Sequence, residues 1–357
     1  MTIFPLHCEL FAIPSPHLSQ LYDGFLSLAK KKIITLTVKK LLHTKAPLLK
    51  VLVNKKTALI YDMLDGLNWI DGSIEDNLNY CANHLHADFY FKRSFTHAFS
   101  DFFSTQHSRY PLGLNYDLTP SSILTGSCAE HTKELLRKLW VKKIMGKNAF
   151  MHEDFECSPN LSKSPKILFN VRLWDPTKES SLLVKQDYES VNNARIMLIR
   201  TCKKEFGDIF SGGVEPSPYS KHVCKDLLLS PQEAKRNRYL DRVKNHDIGI
   251  ATTGLHGSIG WKFGEYVAAS RAIVSEPLNT VLPGNFAAGK NYLAFTTADE
   301  LIGRIDYLLT HKEEMLAMMQ NNYRYYHSFL RPDKLVLNTL VFVVNTLNGT
   351  SSNEKQN

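Results

Sequence analysis

The stretch from Asp247 to Glu276, DIGIATTGLHGSIGWKFGEYVAASRAIVSE, constrains the fold more than any other part of the chain. Ile248 to Ala251 is a short apolar run bounded by polar residues, the pattern of a buried strand. A loop follows with Gly254, Gly257 and Gly260 at every third position. Trp261 to Ala269 has helical spacing, and Ala272 to Val274 reads as the next strand. The loop feeds a helix N-terminus, whose unpaired N–H groups and positive dipole end suit a phosphate. Lys262 adds a mobile cation at the same place. The glycine spacing is neither the dinucleotide fingerprint nor a P-loop, so plain turn chemistry is the competing reading.

A chain of 357 residues suggests about two domains. With 43% hydrophobic residues it can bury sizeable cores. A net charge of +8 and a pI near 9.0 favour acidic partners: nucleotides, anionic lipid or nucleic acid. Much of that charge is early, where Lys30, Lys31, Lys32, Lys39, Lys40, Lys45, Lys50, Lys55 and Lys56 face only Glu9 and Asp23. The cluster reads as solvated surface or as a weak attachment to an anionic membrane. The six cysteines form no CxxC pair, so neither a disulfide framework nor a zinc site is expected. A reducing cytoplasm fits them. The first residues lack the pattern of a signal peptide, and the apolar run Leu335–Leu347 is too short to span a membrane.

In chain order, Cys8–Ile13, Ile33–Val38, Leu48–Val53, Ala58–Tyr61 and Ala87–Phe91 read as strands, with a helix from Ser15-Pro16 to Leu28. Such alternation predicts a mostly parallel α/β sheet, with ligands beyond its C-terminal strand ends. That places Asp62, Asp65 and Gly66 at a candidate acceptor-side edge, though loop aspartates are also ordinary turn residues. Tyr110–Tyr116 reads as a strand closing into a loop, and Glu130–Lys143 as a helix with a basic face. The polar, proline-containing stretch His152–Pro165 is the expected linker. Ile167–Val171 then opens a second α/β series. Asp187–Ala194 is expected as helix, Arg195–Arg200 as strand, and Ser211–Val214 as a strand-to-loop turn. Capped helices are expected from Ser230 and Thr297, and an apolar one over Asp333–Leu347, packed against the first domain. The expected domains are 1–155 and 166–332, with a C-terminal helix over 333–350.

A cleft between two α/β halves is a common ligand location. Arg172 follows the first strand of the second half, with Lys178 on the loop beyond. With Lys262 and the Gly254–Gly260 loop, they could hold a diphosphate. Glu265, placed in the first turn of the loop-fed helix, could accept hydrogen bonds from ribose hydroxyls. His256 could donate to a phosphate or a sugar hydroxyl, or simply close the strand end. No histidine spacing suits a metal, so no metal site is expected.

The second half, over roughly 165–340, resembles the nucleotide-sugar-binding domain of group 1 GT-B glycosyltransferases. The segment KFGEYVAASRAIVSE resembles their nucleotide-binding helix and strand, with Glu265 at the position of the ribose glutamate. Asn170-Val171-Arg172-Leu173 with Lys178 resembles their diphosphate Arg/Lys pair, and Phe210–Val214 the loop near the donor base. The resemblance implies two Rossmann-like α/β/α domains facing across a cleft, the first acceptor-side and the second donor-side. It implies catalytic roles for Arg172, Lys178 and His256, and donor contacts at Gly213, Gly257, Ser258, Ile259, Gly260, Lys262 and Glu265. No tightly bound cofactor is implied, only a nucleotide-diphosphate sugar as donor. The acceptor would be a glycan or lipid-linked acceptor, in the cytoplasm or on the inner face of the membrane. Retaining members carry a glutamate where this chain has Gly257. A non-catalytic nucleotide-sugar-binding or partner-binding chain is therefore the second reading. A basic nucleic-acid-binding protein is the third, without the interleaved aromatics that would support it.

Overall fold

The computed structural model describes residues 5–41, 46–105, 108–119 and 150–353, with the side chains of 350–353 left aside. The expected helix over 130–143 lies outside these residues. Contacts group the chain into two compact units. The first comprises Met1–His152, Thr280–Gly284 and His327–Asn357, the second Glu153–Asn279 and Asn285–Tyr326.

The first unit runs β1 (Leu6–Ala12), α1 (Ser19–Lys30), β2 (Ile34–Lys40), β3 (Leu48–Val53), β4 (Thr57–Asp62), α2 (Ile74–His84), β5 (Phe89–Lys92), α3 (His97–Phe102) and β6 (Arg109–Pro111). Its sheet has the order β2-β1-β3-β4-β5-β6. It is mostly parallel, as expected, with β3 alone reversed and antiparallel to both β1 and β4. The cause is the connection after Val53, which is too short for a parallel crossover. It makes a hairpin turn with Asn54 and Lys55 both at positive φ, 51° and 58°. The remaining pairs are parallel.

The helix at Pro332–Asn353 belongs to this first unit and packs on α1. Its Leu335, Val336, Leu340 and Val343 enter the core with Leu10, Phe25 and Tyr61. The Tyr61 hydroxyl bonds Thr339 Oγ1 at 2.7 Å. Gly24 permits the approach: a Cβ there would press on the Pro332 carbonyl and lie 2.6 Å from Val336 Cγ2. The early lysines are not one patch. Lys31, Lys32, Lys55 and Lys56 lie where β2 and β4 begin, whereas Lys39 and Lys40 close β2 at the other end of the sheet. Lys45 falls outside the described residues.

The second unit contains β7 (Ile167–Val171), α4 (Leu182–Phe206), β8 (Phe210–Val214), α5 (Pro218–Val223), α6 (Arg236–Asn245), β9 (Ile248–Ala251), α7 (Trp261–Ala268), β10 (Ala272–Ser275), β11 (Leu293–Ala294), α8 (Ala298–Thr310) and α9 (Lys312–Tyr325). The long helix Pro332–Asn353 of the first unit then follows as α10. The order is β11-β10-β9-β7-β8, with parallel pairing throughout. Arg195–Arg200 is not a strand but the middle of α4, where Leu198, Cys202 and Phe206 are buried at helical spacing. Ser230 and Glu233 make the reciprocal bonds of a capping box, yet that turn is not continued, and the helix starts at Arg236. Thr297 caps α8 through the Glu300 N–H. The polar stretch read as a linker is partly tied down: Asp247 accepts from Ser162 N and Oγ and from Lys166 N at 2.7–2.9 Å.

Candidate functional site

In the second sheet, β8 lies on one side of β7 and β9 on the other. Strand order reverses there, which in open parallel sheets marks the ligand crevice. The strands part at this point. β7 pairs with β8 over five residues but with β9 only at Ile167↔Ile248 and Leu168↔Gly249. Beyond Leu168, side chains fill the space. Arg195, reaching up from α4, donates to the Arg172 carbonyl at 2.7 Å, Thr252 Oγ1 at 3.1 Å and the Thr253 carbonyl at 3.2 Å. Burial lowers its guanidinium to about 10, against the pull of Glu276 and Glu215, so it stays charged at neutral pH. Lys262 Nζ donates to the Asn170 carbonyl at 3.0 Å and pairs with Glu215 at 2.7 Å. Glu276 accepts from both N and Oγ1 of Thr253 at 2.6 Å. The ends of β7, β8, β9 and β10 thus meet in one charged cluster.

The glycine loop sits at its edge. Gly254 N bonds the Ser258 carbonyl, and Ser258 and Ile259 are buried in the fold-back. His256 is exposed and left-handed (φ 57°), with its N–H on Asp187 at 3.1 Å. Gly257 has φ 64°, a region L side chains avoid, with open space beside it. The glutamate of the resemblance is thus missing at a backbone shape that disfavours any side chain. Gly260 precedes α7 with an ordinary φ of −67°, and its nearest neighbour to an added Cβ is 3.9 Å away. Neither backbone nor packing demands glycine there, and no side chain caps the helix.

Glu265 is the fifth residue of α7, not a first-turn residue, because the helix begins at Trp261. Its side chain is only 1% exposed and pairs with Arg236 Nη2 at 2.6 Å. The Arg236 guanidinium lies 5.3 Å from the Phe155 ring and 5.6 Å from the Tyr239 ring. The second Glu265 oxygen and the hydroxyls of Tyr239 and Tyr266 are buried without a hydrogen bond of ordinary geometry. Burial, then the Glu265 charge, push the Tyr239 phenol well above its usual range.

The other expected residues are less gathered. Arg172 is exposed, 5.4 Å from the Trp174 ring. Lys178 is also exposed, and its ion-pair contact among the described residues is Asp175 at 4.0 Å. Gly213 has a packing reason: a Cβ would lie 2.7 Å from the Leu227 carbonyl. In the first unit, Asp62 is fully buried and saturated. It accepts from Tyr90 Oη at 2.5 Å, Trp69 Nε1 at 2.9 Å and Leu64 N at 2.8 Å, with Lys92 Nζ at 3.4 Å. Asp65 is a third exposed and paired with Arg93. Gly66 donates its N–H to Ser94 Oγ at 3.1 Å. His84 and His86, the other candidate bases for an acceptor hydroxyl in the sequence, lie at the last residue of α2 and just beyond it, where β5 is about to begin, at the opposite end of the sheet from Asp62. His17, which the sequence did not single out, follows β1. Burial, helped by the Arg93 charge, lowers its imidazole to about 4. Arg195, Arg236, Glu215 and Glu276 were likewise missed.

Among the described residues there is no group of three or more His, Cys, Asp or Glu placed to hold a metal. No helix among them is long and apolar enough to cross a membrane. No protein-family model and no curated protein matches the chain. Among solved structures it is similar to the C-terminal domain of a glycosyl transferase group 1 family protein, LpcC, from Francisella tularensis (15% identity, 50% of this chain and 97% of that one, TM-score 0.35). It is also similar to Anabaena HepE in complex with UDP (12%, 95% and 99%, TM-score 0.44). A third is WaaG, a glycosyltransferase involved in lipopolysaccharide biosynthesis (10%, 91% and 96%, TM-score 0.39). The chain is α/β in both units, and two of these solved structures, the LpcC domain and WaaG, are described as glycosyltransferases.

Proposed function

We propose that the chain is a glycosyltransferase that moves a sugar from a nucleotide-diphosphate sugar to an acceptor hydroxyl in surface-glycan synthesis. One observation carries the reading. At the strand-order reversal of an all-parallel sheet, an uncapped helix entrance at Gly260 stands beside Lys262, with a buried carboxylate, Glu265, one turn further in. An anion fits the entrance, and a hydroxyl-bearing group fits the carboxylate. On this reading the diphosphate takes N–H groups of the first turn of α7, with Arg172, Lys178 and Lys262 around it, and His256 at the sugar. These cations stabilise the negative charge that grows as the sugar leaves. The ribose takes the Glu265 carboxylate, which requires Arg236 to give way. Asp65 and Gly66 serve the acceptor; Asp62, already saturated, serves the fold.

The test is a thermal-shift series with UDP, GDP and ADP; UDP is the nucleotide in the HepE structure. A ligand at about a hundred times its Kd should stabilise by about 2.7 kcal/mol. No shift with any of the three would sink the reading. The second reading, a binder without turnover, is favoured by Gly257 at φ 64°. Release of free sugar from the matching donor separates the two. The lysines around the β2 and β4 starts support attachment to an anionic membrane surface, tested by salt-sensitive co-sedimentation with anionic vesicles.

A further inference from the structure

We infer that Arg195 is a positioning residue of the donor site: its guanidinium holds the loop after β7 and the loop after β9 in the one arrangement that binds a diphosphate. The inference rests on the donor-site reading above. β7 and β9 lose their ladder after Leu168 and Gly249, so main-chain bonding does not fix the spacing of the loops beyond. Arg195 spans that gap with three bonds, one to the Arg172 carbonyl and two to Thr252 and Thr253. Its neighbours on α4 reinforce both sides. Asn192 bonds the N–H and carbonyl of Trp174 at 2.9 and 2.7 Å, and Asp187 takes the His256 N–H at 3.1 Å. One helix therefore carries the frame for Arg172 on one side and for the glycine loop on the other. A planar fork with several fixed donors can join two backbones; a lysine ammonium at the same place is a point charge on a flexible stem. Arg195 acts through the loops and not by touching the donor, since its bonds already go to three protein acceptors.

The experiment measures Kd for UDP and for uridine by calorimetry, with a melting curve, for the parent, Arg195→Met, Arg195→Lys and Thr252→Val. In Arg195→Met, the UDP Kd should rise about tenfold or more while the uridine Kd stays within about twofold. Arg195→Lys should not restore UDP binding. Thr252→Val, which removes one of the three acceptors, should show a smaller loss of the same kind, about threefold, and carries the test if Arg195→Met does not fold. Restoration by lysine would make Arg195 a simple charge and overturn the inference. Equal losses for UDP and uridine would reduce it to general stability and overturn it too. Unchanged UDP binding in the folded variants would do the same. A parent that binds no nucleoside diphosphate removes the donor-site reading itself, an outcome visible before any variant is made.

Discussion

Replacing Arg236 with methionine should destabilise the second unit, and adding Glu265→Gln should bring part of that stability back. Glu265 is 1% exposed, and Arg236, 29% exposed, is its ion-pair partner at 2.6 Å. Removing one member of a buried pair costs about 3–5 kcal/mol, because the other charge stays buried without compensation. The cost here should fall towards the lower end. The Tyr239 hydroxyl lies beside the same carboxylate and can donate to it, recovering about 1 kcal/mol. A net loss of about 2–3 kcal/mol corresponds to a fall in Tm of roughly 4–12 °C for a unit of this size. Glutamine at 265 carries no charge, so the double variant should be more stable than Arg236→Met alone. The assay is a urea or thermal melt followed by the fluorescence of Trp174 and Trp261, both in the second unit. Two results would refute the reasoning: an Arg236→Met variant that melts with the parent, or a double variant in which the losses simply add.

Glu265→Gln alone should weaken UDP binding about ten- to a hundred-fold with the fold retained, and binding equal to the parent would end the ribose assignment. Gly24→Ala should cost about 2 kcal/mol in the first unit by pushing α10 off α1; an unchanged melting curve would show that the helices can part freely. Asp333 offers a pH test: burial alone would raise its carboxyl, but the bonds from Arg331 and Lys31 outweigh burial and hold it well below the usual range. A depressed carboxyl contributes stability above its unfolded value and loses it as pH falls towards the folded one. Asp333→Asn should therefore be less stable than the parent by roughly 2 kcal/mol at pH 7, with the gap closing below about pH 4; a gap constant down to pH 3 would assign the loss to packing.

Local pattern carried far in this chain. β9 and the strand–loop–helix order of 247–276 follow from apolar runs and glycines, and Thr297 announced α8 by its capping spacing. Failures came where a side chain's role depends on residues remote in sequence. Arg195 opens an apolar run, Arg-Ile-Met-Leu-Ile, that locally suits a strand; burial of Leu198, Cys202 and Phe206 keeps it helical. The bonds of that arginine reach residues more than fifty positions on, which no local pattern encodes. Asp62 looked like a cleft carboxylate, but Trp69 and Tyr90 fill its acceptor positions. Ser73 and Asp76, the capping box of α2, were a legible signal that the reading passed over.

The first unit is assembled from sequence on both sides of the second, because α10 completes the core begun by β1 and α1. A nascent chain emerging from the ribosome has no Val336, Leu340 or Val343 to offer Phe25 until the whole of the second unit has been made. The strands made first must therefore wait with an open apolar face, while the second unit, nearly continuous in sequence, can close earlier.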